Sequence, residues 1–374
     1  MCEIHYPVRI LQVIGHMDRG GAETMIMNLY RNIDRSRIQF DFVQHYDKAA
    51  AFDQEILQLG GKIYHCPVYK PQTHRTYVHW WNEFFLEHPS EYPIVHGHIG
   101  STAAIYLKIA KSSGAITIAH SHSALQGSIA YRVYSYPTRW IADYFFGCGT
   151  EAICSRYGKQ ALQSGRVQVI RNGIDLGNFS YSEDSRIQIR KRYSVPLDAL
   201  VVGHVGRFSE VKNHDLLIRI FRMILQNHPN AYLLLVGDGP LKSNVKAKAE
   251  KMGISDNVIF AGVQRNTGPY YSAMDLFVFP SLGEGLPVSL VEAQAASLPC
   301  LVSNTIPQES SLIPELIHWC SLNDSEEVWA DGVEKCFSLK RGNRSDELMK
   351  AGYDIRQTSR ELQMLYQEML RKDR

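Results

Sequence analysis

The sequence predicts an α/β protein of two domains, each a parallel sheet covered by helices. Three observations predict it. Short apolar runs alternate with stretches of helical length along nearly the whole chain. Loops rich in Gly, His and charged residues follow the apolar runs. The alternation breaks once, near residue 180, and then restarts, as two βαβ arrays require. At 374 residues the chain is long enough for two domains of ordinary size.

The elements follow in order. An apolar run over 8–14 reads as a strand and closes on Gly15-His16-Met17-Asp18-Arg19-Gly20-Gly21; 22–31 then reads as a helix. Further strands are expected at 40–43, 63–66, 94–96, 116–120, 144–148 and 167–171, with helices at 51–59, 77–87 and 102–111. The polar stretch 177–184 reads as a linker. Strands are then expected at 201–205, 232–236, 258–261, 276–279 and 300–303, with helices at 214–226, 241–252 and 270–274. Glu292 falls about two turns into the helix after the 276–279 strand, and 327–339 and 354–370 read as closing helices. The domains are expected over 1–178 and 179–353, with a deep cleft between the two halves.

Composition narrows the function classes. Hydrophobic content of 45% with 21% charge fits a soluble globular protein. A net charge of +2 gives no case for a nucleic-acid partner. No apolar run approaches the roughly 18 to 20 residues that span a bilayer. Residues 1–7 lack a signal-peptide core, so a cytoplasmic protein is expected. Seven cysteines stand singly, without Cys-x-x-Cys spacing, which favours free thiols over disulfides or zinc.

The most informative stretch is Ser281-Leu282-Gly283-Glu284-Gly285-Leu286-Pro287-Val288-Ser289-Leu290-Val291-Glu292. Glu284 is placed in the loop at a strand's carboxyl end and Glu292 in the next helix, at the sheet edge where open α/β proteins bind ligands. Two acids there can hold hydroxyls of one elongated polar ligand. Gly20 and Gly21 sit where the first strand turns into the first helix, so a phosphate or sugar could approach the backbone; a tight turn is the plain alternative. The spacing is neither Gly-x-Gly-x-x-Gly nor a Walker loop. Gly206-Arg207-Phe208-Ser209-Glu210-Val211-Lys212 occupies the equivalent loop of the second half. Arg207 offers a fork and Lys212 a point charge, which together suit a diphosphate. Solvated surface cations are the alternative. Gly237-Asp238-Gly239-Pro240 closes the following strand, either as a turn or as part of a nucleotide pocket.

Eleven of 15 histidines fall within the first 122 residues. His96 and His98 end one expected strand, and His120 and His122 another; alternation points each pair to one face. They could ligate a metal or donate to hydroxyls. A metal reading needs acidic partners, and Asp and Glu are absent from 94–132.

Taken together, Gly20-Gly21-Ala22-Glu23, His120, Arg171-Asn172-Gly173-Ile174-Asp175, Arg207 with Lys212, Gly237-Asp238-Gly239-Pro240 and Glu284 to Glu292, in that order, resemble retaining glycosyltransferases of family 4. These have the GT-B architecture of two Rossmann-like domains. The likeness is strongest to bacterial enzymes of capsule, exopolysaccharide or O-antigen assembly, through the Ala-His-Ser-His of 119–122 and the Ser-Asn-Thr-Ile-Pro of 303–307. The resemblance implies a metal-free hexosyltransferase with no cofactor. Its donor would be a nucleoside-diphosphate sugar, UDP-linked by preference, with GDP-mannose the other choice. Its acceptor would be a saccharide or lipid-linked saccharide. It implies that Arg207 and Lys212 neutralise the diphosphate and Glu292 takes the ribose hydroxyls. Glu284 would face the transferred sugar, and the backbone of Glu284, Gly285 and Leu286 would help seat it. Gly20, Gly21 and Gly237 would line the donor site, His120 would stand near the reacting sugar, and the last helix, within 354–374, would pack back on the first domain. Polysaccharide enzymes of this kind often work at the inner membrane face, and the mixture of aromatics and arginines over 131–140 suits peripheral contact, or else packing. The aromatic group Trp80, Trp81, Phe84 and Phe85 is expected in the core. Many relatives have glycine where Ser297 stands, and a Gly-Gly pair in place of Asn304-Thr305. A sugar-nucleotide epimerase of the same architecture and a His-rich metal hydrolase are the competing functions.

Overall fold

The computed structural model describes residues 7–122, 133–336 and 341–372. They form two compact units, Met1–Gly173 with Ile355–Arg374, and Ile174–Asp354.

The first unit is a seven-stranded parallel sheet in the order β3-β2-β1-β4-β5-β6-β7. Its strands are β1 (Val8–Ile14), β2 (Ile38–Gln44), β3 (Ile63–His65), β4 (Ile94–Gly97), β5 (Ile116–Ser121), β6 (Tyr144–Gly147) and β7 (Val167–Val169). Between them run α1 (Gly21–Asn32), α2 (Asp53–Gln58), α3 (His74–Glu87), α4 (Ala103–Ser112), α5 (Thr138–Ile141) and α6 (Thr150–Tyr157). The central strands are buried along almost their whole length, because helices cover both faces of a parallel sheet. One face packs Ile10, Phe40, Ile94 and Ile118 against α1 and the helix Ile355–Lys372. The other packs Leu11, Val95 and Phe145 against Trp81, Phe84, Phe85 and Tyr106. Trp81 is fully buried and stacks on Tyr106, so the aromatic cluster of α3 is core. Each such ring stabilises the fold by roughly 1.5 to 3 kcal/mol through lost apolar surface.

The second unit is a six-stranded parallel sheet in the order β10-β9-β8-β11-β12-β13. Its strands are β8 (Val201–Val205), β9 (Tyr232–Val236), β10 (Val258–Gly262), β11 (Leu276–Phe279), β12 (Cys300–Ser303) and β13 (Ile317–Cys320). Its helices are α7 (Leu176–Phe179), α8 (Glu183–Arg192), α9 (His214–Asn227), α10 (Lys242–Lys251), α11 (Gly268–Ala273), α12 (Val288–Ala295), α13 (Glu326–Cys336) and α14 (Ser345–Lys350), and α15 (Ile355–Lys372) returns to the first unit. On α9 the buried Leu217, Ile220, Phe221 and Ile224 recur at helical spacing and face the sheet.

Three differences from the sequence reading have physical causes. The stretch 177–184 is no linker: it is α7 running into α8, with a helix cap just before it and another within it. Asp175 accepts from Gly177 N at 3.1 Å, and Ser182 accepts from Ser185 N at 3.2 Å. Glu292 lies little more than one turn into α12, because Pro287 stands at the N-cap and the helix starts only at Val288. The edge strand β13 escaped notice because it is short and only half-buried. Among the described residues six cysteines are free, and no helix is long and apolar enough to cross a membrane.

Candidate active site

In each sheet the strand order reverses beside the first strand, between β1 and β4 and between β8 and β11. Chains leave these strands toward opposite faces, which opens a crevice at their carboxyl ends. The expected site residues lie in or beside the loops at the carboxyl ends of these sheets.

In the second unit the loops after β8 and β11 are bonded to each other. Leu282 N donates to Val211 O at 2.8 Å, and Asn213 Nδ2 donates to Pro280 O at 3.2 Å. Asn213 has the left-handed backbone (φ 51°) and caps α9 through Leu216 N. That places Lys212 over the mouth of β11. Its Nζ lies 2.7 Å from Glu284 Oε1 and 4.7 Å from the Phe279 ring centroid. Its stem lies against Gly206, where an added Cβ would stand 3.2 Å from Lys212 Cε. Arg207, one residue on, is exposed and has no ion-pair partner among the described residues.

Glu292 enters the same region from α12, and Tyr271 OH donates to its Oε2 at 2.8 Å. Burial pushes the Glu292 carboxyl up to about 7, against the Tyr271 hydrogen bond and the nearby Lys212 charge, which both pull it down. Gly285 is half-buried and Leu286 buried beside Glu284. Thr305 braces this loop: its hydroxyl donates to Ser281 O at 2.9 Å and meets Ser303 Oγ at 2.6 Å. Gly237 cannot be replaced quietly. Its φ is 138°, and a Cβ there would lie 2.1 Å from Gly206 O. The glycine lets the β9 loop close on the β8 loop.

In the first unit Gly20 is the N-cap of α1, with ordinary extended backbone, and Gly21 opens the helix. A Cβ on Gly21 would meet nothing within 4 Å. The atoms nearest to one on Gly20 would be those of the Glu23 carboxylate, which folds back over the helix start and whose pKa burial raises. Neither glycine is therefore demanded by a turn. An anion approaching here has to move Glu23 aside, because that carboxylate already faces the positive helix end.

His96, His98, His120 and His122 form one stacked group at the ends of β4 and β5. Ring centroids are 4.4 Å apart for His96 and His98, and 4.3 Å for His120 and His122. Burial, and then the neighbouring rings and Arg156, hold their pKa values far below the ordinary range, with His122 at about 3. All four are neutral at pH 7. Nitrogens of His96, His98 and His120 lie within 4.8 Å of one another.

Thus Lys212, Glu284 and Glu292 come together, Arg207 and Gly237 flank them in adjoining loops, and His120, Gly20 and Gly21 belong to the other unit. Sequence reasoning missed Tyr271 and Thr305, whose partners are set only by folding. Asn213 was legible in principle, since asparagine before a helix favours a left-handed cap. A cavity of about 920 Å³ lies elsewhere. Leu200, Asp275 and Pro299 line it, so it sits at the amino ends of β8, β11 and β12.

Comparison with known proteins shows the family. Residues 19–178 match the family described as Glycosyltransferase Family 4, and residues 185–354 match Glycosyl transferases group 1. The chain is 32% identical over 376 residues to the putative glycosyltransferase EpsF of Bacillus subtilis, covering 98% of both chains. It is 27% identical to the UDP-Gal:alpha-D-GlcNAc-diphosphoundecaprenol alpha-1,3-galactosyltransferase of Escherichia coli over 225 residues, 57% of this chain and 58% of that one. Among solved structures, Anabaena HepE in complex with UDP and glucose superposes with a TM-score of 0.78 at 17% identity, covering 96% of this chain and all of that one. The chain therefore belongs to the GT-B glycosyltransferases that join a family 4 domain to a group 1 domain.

Proposed function

We infer that this glycosyltransferase moves a sugar from a UDP-sugar to a saccharide or lipid-linked saccharide of a surface polysaccharide, with retention of anomeric configuration and without a metal. The observation that carries the reading is Lys212, held 2.7 Å from Glu284 beside Glu292 at the β8/β11 switch point. A leaving nucleoside diphosphate gains negative charge as the glycosidic bond breaks, and the sugar becomes oxocarbenium-like. A cation fixed in advance stabilises that charge more in the transition state than in the ground state. Each such charge-assisted contact contributes roughly 1.5 to 3 kcal/mol. Lys212 would exchange Glu284 for phosphate oxygens, with exposed Arg207 as the second donor. Glu284 is then free to accept from a sugar hydroxyl, and Glu292 accepts from the ribose. In a retaining reaction of this kind the acceptor hydroxyl attacks on the leaving-group face and passes its proton to the departing phosphate.

UDP is favoured because the similar HepE and the Escherichia coli relative carry it in their names. A lipid-linked acceptor at the inner membrane face is supported by that relative's diphosphoundecaprenol substrate. It is also supported by the exposed Val133, Tyr134, Tyr136 and Trp140, with Arg139 over the Tyr136 ring at 4.6 Å. Residues 131–132 lie outside the described residues.

The test is UDP release from a panel of UDP-sugars with EDTA present, with and without acceptor, and the product's anomeric configuration read by NMR. Release that needs acceptor, survives EDTA and retains configuration is expected. Lys212→Ala and Glu292→Ala should each lower the rate at least about tenfold. Wild-type rates in both variants would overturn the assigned pocket. One observation favours a second reading, a metal-dependent hydrolase: the clustered nitrogens of His96, His98 and His120. Activity abolished by EDTA and indifferent to acceptor would support it.

A further inference from the structure

On the α15 side of the first sheet the core changes character toward the carboxyl ends of the strands. Ile10, Ile94 and Ile118 give way to Gln12, His96 and His120. Gln12 and Tyr366 are buried and meet these rings from β1 and α15. The contacts form two branches. In one, Gln12 Oε1 lies 2.8 Å from His98 Nε2, and His98 Nδ1 lies 2.8 Å from His122 Nε2. In the other, Tyr366 OH lies 2.6 Å from His96 Nδ1, and His96 Nε2 lies 3.0 Å from His120 Nδ1. Gln12 Nε2 joins the branches through Tyr366 OH at 3.4 Å. His120 Nε2 and His122 Nδ1 are enclosed and find no partner among the described residues.

A neutral imidazole has one N–H and one lone pair, so each contact dictates the next. A phenol is the stronger acid and a neutral imidazole the stronger base, so Tyr366 donates to His96 Nδ1. His96 Nε2–H must then donate to His120 Nδ1, which leaves the His120 proton on Nε2. The amide oxygen of Gln12 accepts from His98 Nε2–H. His98 Nδ1 therefore accepts from His122 Nε2–H, and His122 Nδ1 is left bare. The amide reinforces both starts, because its NH₂ donates to the phenol oxygen while its carbonyl accepts from His98.

We propose that Gln12 and Tyr366 are positioning residues that fix the tautomers of His120 and His122 through His96 and His98. His120 and His122 then offer one N–H donor and one bare acceptor in a single stacked pair, the combination a hydroxyl matches. A phosphate oxygen, which only accepts, can use His120 alone. This deepens the glycosyltransferase reading and rests on it for the identity of the sugar. Since Tyr366 belongs to α15, the helix that returns to the first unit supplies the hydroxyl that sets the chemistry of His120.

The test is a side-chain nitrogen-15 correlation spectrum of the histidines in the full chain, with no nucleotide added. It depends on no substrate assignment, so a wrong sugar would leave it unchanged. In the wild type His120 should carry its proton on Nε2. In Gln12→Glu the introduced carboxylate accepts the Tyr366 proton. His96 Nδ1–H then donates to the phenol oxygen, and the His120 proton moves to Nδ1. In Tyr366→Phe the His96 branch loses its anchor, and His120 should show both forms. That variant should also lose at least about tenfold in kcat while its affinity for UDP, held by the other unit, stays unchanged. A His120 proton found on Nδ1 in the wild type, or still on Nε2 alone in both variants, would overturn the proposal. Should either variant fail to fold, the wild-type spectrum and the remaining variant decide it.

Discussion

Lys212 holds its charge between an acid 2.7 Å away and an aromatic face, in a loop tied to the loop after β11. Glu292 makes the matching demand for pH dependence. Its folded pKa of about 7 is above the ordinary 4.5, so ionising it costs stability. That cost is absent below about pH 4.5, grows as pH rises toward 7 and is complete above it, on the order of 3 kcal/mol. Glu292→Gln should therefore flatten the stability loss between those values, as followed by denaturant midpoint against pH. An ionised carboxylate is the better partner for ribose hydroxyls, so UDP should bind more tightly as pH rises through about 7 in the wild type and not in Glu292→Gln. Gly21 gives a different residue-scale test. A methyl there meets nothing within 4 Å, and alanine is the better helix former by up to about 1 kcal/mol. Gly21→Ala should keep or raise the melting temperature yet lower kcat/KM at least about tenfold, if a ligand comes close to that backbone. The charged residues were legible in the sequence because chemistry and loop position coincide in them. Tyr271 was not, since nothing local pairs it with a glutamate 21 positions on. Ser297 is instructive as well. Its φ of 54° is glycine's region, which fits the glycine of many relatives, and its hydroxyl accepts from Gly342 N at 3.1 Å.

At the scale of elements, the site is made by loops that lean on one another. Phe208 N donates to Asp238 O at 3.0 Å, and Gly206 N to Val236 O at 3.0 Å, so the β8 and β9 loops move as one. Gly237→Ala would drive a Cβ into the Gly206 carbonyl at a backbone angle that L residues avoid. A loss of at least about 2 kcal/mol is expected by chemical denaturation, with weaker nucleotide binding in parallel. The buried strands were legible because parallel sheets write themselves as continuous apolar runs. The misread stretch was polar for a reason that sequence alone leaves open, since the same residue types make linkers and helix caps. Within α8, Arg190 is 1% exposed and bonded to Asp275 at 2.6 Å, so a charged segment supplies a core contact. The half-buried Arg341 similarly donates to carbonyls at the ends of α11 and α12, including Met274 O at 2.6 Å and Ala296 O at 2.8 Å.

For the whole molecule, two sheets of the same construction each present their switch-point loops. The cations and acids lie on the second, the stacked histidines and the open glycines on the first. This division was visible in the sequence, because eleven of 15 histidines precede residue 123 while the Lys212, Glu284 and Glu292 set follows residue 200. The closing helix α15 was visible too, though the pairing of its Tyr366 with His96, 270 positions earlier, was not. The most direct measurement is a calorimetric titration of UDP into the metal-stripped wild type, Lys212→Ala and Glu292→Gln. Binding by the wild type, weakened at least about tenfold in each variant, is predicted. Equal affinity in all three, or no binding without added metal, would contradict it.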